Sequence, residues 1–284
     1  MVRSLSRLIF ILIISTLFVT FVFAQSEQLR YQSEKGVAHQ YKIKSDIKQK
    51  MQMMGQEFTS LISNAIDLSL EGNDVKDGQL IFIGKIEKNL SKIDSPMMKD
   101  TAMVSKDVNG KRVQIVVTPL GKTLKTVALD SIPPPANPMM GNIINPTDMM
   151  RRLFVEVPEK AVAVGDTWKH TRPDTTNTQG MKIISKPSIT YKIASAEMKD
   201  GYDCLKITFE GTASQYGTGS RQGMELVIDG TSKSKGTVYF ASKLGILVSV
   251  ETSNTSDTNI SGTGEQMFSG TQSVTANSKM VLVR

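Results

Sequence analysis

The chain has 284 residues, with 34 basic and 27 acidic side chains, a net charge of +7, and an aromatic fraction of only 6%. Its single cysteine, Cys204, excludes an internal disulfide framework. The lysines are scattered and form no dense run interleaved with aromatics, which argues against a nucleic-acid partner.

Residues 1–24 carry Arg3 and Arg7, an apolar run from Leu8 to Phe23, and then Ala24 before Gln25. These are the three parts of a secretory leader, with cleavage expected between Ala24 and Gln25. Val22 and Ala24 occupy the positions where small side chains are required. The apolar run is slightly short of the ~20 residues that cross a bilayer, so a retained anchor is the competing reading. Gln25 stands where a lipid-anchored protein needs a cysteine. Removal of the leader leaves 260 residues with 32 basic and 27 acidic groups, a net of +5. No later segment is long and apolar enough to span a membrane as a helix. The expected product is a periplasmic or secreted protein, not an integral membrane one after cleavage.

Strand signals follow. Phe58–Ile66, rich in β-branched and hydroxyl residues, reads as strand over helix. Asp77-Gly78 separates Leu68–Gly72 from Leu80–Ile86. Asn109-Gly110 separates Ala102–Val108 from Val113–Thr118. Asp200-Gly201 separates Ser188–Ala196 from Tyr202–Glu210, and Asp229-Gly230 ends Met224–Ile228. Such pairs supply the positive φ of tight hairpins. Leu205, Ile207 and Phe209 alternate with Lys206, Thr208 and Glu210, and Ile246, Val248 and Val250 alternate with polar residues. That period of two means one buried and one wet face. Thr252–Val283 reads as one or two long strands rich in Ser and Thr.

One short helix is expected from Thr147 or Asp148 to Phe154, after Pro146 and before Pro158. The proline-rich stretch 131–146 interrupts the strands. It reads as a loop within one β-rich domain, residues 25–284, with an interdomain linker as the alternative. The expected fold is mainly β: a curved antiparallel sheet, as a half-barrel or two-sheet sandwich, with one short helix.

The two histidines, His39 and His170, lack the motifs of a hydrolase elbow, a zinc helix or an activated cysteine. Gly217–Gly223 has the wrong spacing and context for a nucleotide loop and reads as a flexible hairpin end. No catalytic residue, cofactor or metal site is assigned. Methionine is in excess, at 16. Met51 and Met53 would share one strand face, and Met139 and Met140 sit in the proline-rich loop. Clustered thioethers suit Cu(I), but methionine also fills cores and lines permissive binding surfaces. Trp168 is expected to start a strand after the turn Gly165-Asp166 and, buried, to anchor the sheet, with an exposed aromatic in a binding mouth as the alternative.

Pro158–Trp168, with Val162-Ala-Val-Gly-Asp-Thr-Trp168, resembles a signature of secreted bacterial β-rich proteins of unknown function. Lys50–Gln56 is similar to an early strand of the same proteins. Gly236–Phe240 and Gly245–Val250 are similar in rhythm to periplasmic lipoprotein-carrier half-barrels, a resemblance that implies a hydrophobic cavity for acyl chains. Together these point to a non-catalytic envelope binding protein for a lipid or other hydrophobic ligand, with Met51, Met53, Met139, Met140 and Trp168 as ligand-binding candidates. The alternative is a structural or protein-interaction module with an envelope protein as partner.

Overall fold

The computed structural model describes residues 26–53, 55–96, 98–103, 108–131, 145–178, 181–221, 224–263 and 267–283. Ala24, Gln25, Met139 and Met140 lie outside them, as does nearly all of the proline-rich stretch. Among the described residues there are thirteen strands. The first six are β1 (Ala38–Met53), β2 (Gln56–Lys76), β3 (Gln79–Ser95), β4 (Met98–Met103), β5 (Arg112–Val117) and β6 (Thr123–Ala128). A single helix, α1 (Pro146–Arg151), follows. The remaining strands are β7 (Thr167–His170), β8 (Asp174–Thr178), β9 (Met181–Lys199), β10 (Tyr202–Arg221), β11 (Met224–Ala241), β12 (Ile246–Thr263) and β13 (Phe268–Val283). No helix here is long and apolar enough to cross a membrane.

All thirteen strands join one antiparallel sheet in the order β6-β5-β3-β2-β1-β13-β12-β11-β10-β9-β7, with β4 added to β3 and β8 to β9. The ends β6 and β7 do not pair, so the sheet is open. Strands from before and after the proline-rich stretch meet through the β1–β13 pair. The two-sheet alternative is therefore not what forms.

The turns follow the local chemistry where the chain reverses. Asp77 and Gly78 both take positive φ (51° and 72°) between β2 and β3, as do Asp200 and Gly201 (47° and 82°) between β9 and β10. Asn109-Gly110 departs from expectation. Gly110 does turn, but β5 pairs with β3 and β6 rather than with β4. The Asn109 side chain instead accepts a hydrogen bond from the Asn89 backbone at 2.9 Å. Asp229-Gly230 is not a turn at all: both residues lie inside β11. A Cβ on Gly230 would stand 2.6 Å from the Asp257 carbonyl oxygen, so close approach of the neighbouring strand, not reversal, explains the glycine.

α1 is shorter than expected and ends at Arg151. Its cap is Asn145, two residues before Thr147, whose side chain accepts from the N–H groups of Thr147 and Asp148. Met150 and Leu153 are thereby buried in the core.

The sheet curves around a filler made by the N-terminal segment and the chain on either side of Phe154. Glu27 and Val162 exchange backbone hydrogen bonds at 2.8 and 2.9 Å. Three ring contacts bridge the interior: Phe82 to Phe154 at 5.3 Å, Phe154 to Tyr31 at 5.2 Å, and Tyr31 to Phe240 at 5.1 Å. Phe82 lies on β3 and Phe240 on β11, five strand spacings apart in the sheet order. Laid flat, that separation is roughly 24 Å, longer than the three steps end to end. Register shifts at Asp67/Leu68, Gly72/Asp74, Lys206/Ile207 and Tyr239/Phe240 cluster at this end of the strands. Bulges bend strands and sharpen their twist, which suits a sheet wrapping a core.

At the sheet edge, Asp130 receives the Arg112 side chain (Nε at 3.0 Å, Nη2 at 2.9 Å) and the Arg112 N–H at 2.8 Å. The side-chain bonds, then the backbone bond, hold its carboxyl down at about 2. The folded value lies below the unfolded one. Whatever stability this contact gives is present above ~4 and is lost as pH falls toward 2. A carboxyl NMR titration should place the Asp130 midpoint near 2, and Arg112→Gln, which keeps the backbone bond, should raise it part of the way toward ~4. A wild-type midpoint near 4 would remove the tie between β5 and β6.

Candidate ligand-binding face

The alternation of the long strands sorts their side chains onto two faces. The face that carries the core is called the inner one. On β1 it shows Ile43, Ser45, Ile47, Gln49, Met51 and Met53, while Lys42, Lys44, Asp46, Lys48 and Lys50 point the other way.

Register then lines the inner face up in rows. Ile43 stands between Ile66 and Met280, and Met280 is followed by Val250 and Val238. The next row is polar and crosses five strands: Ser91, Asn64, Ser45, Ser278 and Thr252. Beyond it the side of β3, β2, β1 and β13 is apolar again, with Ile93, Ile62, Ile47 and Ala276. Val274 lies between Gln49 and Ser256, Met51 between Phe58 and Gln272, and Met53 between Gln56 and Gly270.

In these rows the hydrophobic core holds Ile66, Met280 and Val238, with Ile43 and Val250 packed against it, and Ile93 beyond the polar row is also fully buried. Ile47, Val274, Met51 and Met53 lie outside the core, yet they are half-buried rather than exposed. Charge gives the sharpest contrast. Inner positions run from Ile43 to Met53 on β1, Gln56 to Ile66 on β2, and Asn89 to Ser95 on β3. They continue from Met181 to Ile193, Ile207 to Gly219, Leu226 to Val238, Val250 to Gly262, and Phe268 to Met280 on β9 to β13. None of these is Asp, Glu, Lys or Arg.

The outer face is the opposite. It holds an open trough of about 890 Å³ walled by Lys44, Lys235, Lys279, Asp46, Glu210 and Glu251. Lys279 and Glu251 pair at 2.7 Å. Volume alone would favour this trough, but its ionic walls are unsuited to an apolar ligand. The enclosed apolar cavity beside Tyr31, Phe82 and Phe154 is about 20 Å³, room for a single water and not for an acyl chain. This core cavity is too small for an acyl chain; among the described residues the uncharged surface left for an apolar ligand is the inner face beyond the core.

The predicted ligand-binding residues do not converge. Met51 and Met53 share the inner face of β1, as their spacing requires. Trp168 stacks on Tyr191 with centroids 5.1 Å apart and planes 9° apart, packed against the core. Its Nε1 donates to the Glu156 carbonyl at 3.3 Å. It is half-buried and holds β7 to β9, the anchoring role expected of it. Following the rows, Met51 and Trp168 are on the order of 20 Å apart along the strands and 29 Å across them. The register neighbours of Met51 and Met53 are Phe58, Gln56, Gln272 and Gly270, none a sulfur ligand for copper.

His170 is not a lone surface histidine. Its Nδ1 lies 3.5 Å from a Glu156 carboxylate oxygen, and Arg172 bonds the other oxygen. Burial works against the Glu156 charge, but His170 and Arg172 outweigh it and hold the carboxyl below its usual range. This cluster ties the chain after α1 to the β7 side of the sheet. His39 is half-buried, and burial lowers its pKa. Burial first, then Asp203, pushes the Cys204 thiol up to about 11, leaving it inert as a nucleophile at neutral pH. Among the described residues no three His, Cys, Asp or Glu side chains are grouped to hold a metal ion.

Sequence reasoning missed Asn64 and Asn89, which are buried on the inner face. The signal was a polar residue standing in the apolar phase of a strand, as in Ile62-x-Asn64-x-Ile66. At Asn89 the extra residue Glu87, at the register shift opposite Asp67/Leu68, hides that phase.

No protein-family model and no curated protein matches the chain. Among solved structures, lipovitellin, in a structure concerned with lipid–protein interactions, is similar at 13% identity and a TM-score of 0.48. The match takes in 89% of this chain and 26% of that one, so the chain spans about a quarter of lipovitellin's length. OpdQ and OpdH of Pseudomonas aeruginosa are similar at 6% identity each, with TM-scores of 0.28 and 0.29. They match 87% and 89% of this chain and 99% and 100% of theirs. Likenesses this distant carry no argument about ligand or activity.

Proposed function

We propose that the chain is an exported, non-catalytic binding protein of the bacterial envelope, whose inner sheet face holds a lipid or other hydrophobic ligand. One observation carries the reading: the inner face stays free of charge well beyond the core. A sheet face meant only for water carries charged side chains, as the outer face of these same strands does. Charge is excluded where a buried charge would be unpaired. Ile47, Ile62, Val274, Met51, Phe58 and Met53, interspersed with the uncharged Gln49 and Ser60, supply the contact surface, and flexible methionines adapt it to a chain-like ligand.

The competing module, an edge-pairing partner of an envelope protein, has less to use. The end strands β6 and β7 have six and four residues, lengths typical of edges protected against pairing. Native mass spectrometry of protein taken from its own envelope, followed by solvent extraction, tests the proposal. A stoichiometric small-molecule adduct, displaceable by the neutral dye Nile red, is the expected result. An adduct-free protein that also ignores the dye would end this reading.

A further inference from the structure

We propose that Asn64 and Asn89, with Ser45 and Ser91, form the seat for an uncharged hydrogen-bonding head group, so that the ligand is a neutral amphiphile of the monoacylglycerol kind. This rests on the reading of the inner face as the binding surface.

Asn89 is fully buried, and neither its Nδ2 nor its Oδ1 has a partner. Asn64 is buried; its Nδ2 donates to Ser45 Oγ at 3.3 Å, and its Oδ1 has no partner. Ser91 is buried directly opposite Asn64. Asn89 is the diagonal neighbour of Asn64, on the same face and within side-chain reach. Unpaired buried amide groups cost stability unless something else satisfies them, so each one demands a partner. Here three unpaired atoms stand together in the two rows before Ile93, itself fully buried, and Ile62 and Ile47.

The chemistry of the missing partner follows. Asn89 offers one donor and one acceptor, which a hydroxyl answers by accepting from Nδ2 and donating to Oδ1. A carboxylate could only accept, and among the described residues no lysine or arginine faces inward on these strands to pair with it once buried. A phosphate fails for the same reason. A head of hydroxyl and ester groups satisfies the amides, and its acyl chain continues along Ile47 and Ile62. Ordered water is the rival occupant.

The test compares 1-monooleoylglycerol, oleate and oleoyl-lysophosphatidate on the full mature chain, below their aggregation limits. The wild type should prefer the monooleoylglycerol by tenfold or more over either anion. Asn89→Leu and Asn64→Leu should each lose tenfold or more toward the glyceride while keeping Nile red binding. Removal of an unsatisfied amide should leave the ligand-free melting temperature unchanged or higher, so lost binding would not reflect lost folding. Equal or better binding of oleate overturns the proposal, and so does unchanged glyceride binding by both variants, the result expected of ordered water. Either outcome leaves the inner face as a binding surface. A wild type that binds none of the three lipids and no dye, or a dimer that seals the face against them, overturns this inference and the proposed function together.

Discussion

Glutamate in place of Val274 is expected to abolish capture of a neutral hydrophobic ligand while leaving the fold standing. Val274 is half-buried on the uncharged inner face between Gln49 and Ser256, outside the core. A carboxylate there keeps contact with water in the free protein, so its cost to stability is about 1 kcal/mol. With a ligand laid over it, the charge must lose water without gaining a partner. A tenfold or greater loss of affinity is therefore expected, ~1.4 kcal/mol or more. The control is one residue away. Thr275 points outward opposite Lys48, and Thr275→Glu should bind as the wild type does. Nile red titration with a thermal melt on each variant reads both quantities. Equal losses in the two variants would mean that the faces do not differ in function.

Phe240→Ala should produce the largest loss of stability. Phe240 is fully buried and meets Tyr31 edge-on, at 5.1 Å and 85°. Tyr31 in turn meets Phe154, and its hydroxyl both donates to the Val155 carbonyl and accepts from the Val155 N–H. Truncating a buried phenylalanine costs ~3–5 kcal/mol in transfer and cavity terms. For a chain of this size that lowers the melting temperature by roughly 10 °C. The reason is architectural: the filler rings link Phe82 on β3 to Phe240 on β11 across the interior of the curved sheet. A fall of less than ~2 °C, at the few degrees per kcal/mol that apply here, would show that curvature does not depend on the filler.

Much of the framework was legible because it rests on local chemistry. Asp77-Gly78 and Asp200-Gly201 take the positive φ that hairpins need, whatever surrounds them. Period-two patterning placed Met51 and Met53 on one face. Asp229-Gly230 misled, because a glycine demanded by a close neighbouring strand looks the same in sequence as a glycine demanded by a turn. Asn109-Gly110 misled differently: its asparagine serves the distant backbone of Asn89, a contact twenty residues away.

The site was less legible than the fold. Alternation gives each residue a face but not a neighbour several strands away, so Met51 and Trp168 looked like one site and are six strands apart. Asn64 and Asn89 announced themselves only once register set them side by side.

The amino-acid order by itself determined the antiparallel strands, the expectation of an export leader and the separation of charged from uncharged faces, because each depends on neighbours within a few residues. Tertiary structure alone decided that one open sheet wraps its own N-terminal segment, that the uncharged inner face runs on beyond the core, and that two buried amides lack partners. Those outcomes depend on register across many strands and on where the filler stops, and no short stretch of chain encodes either.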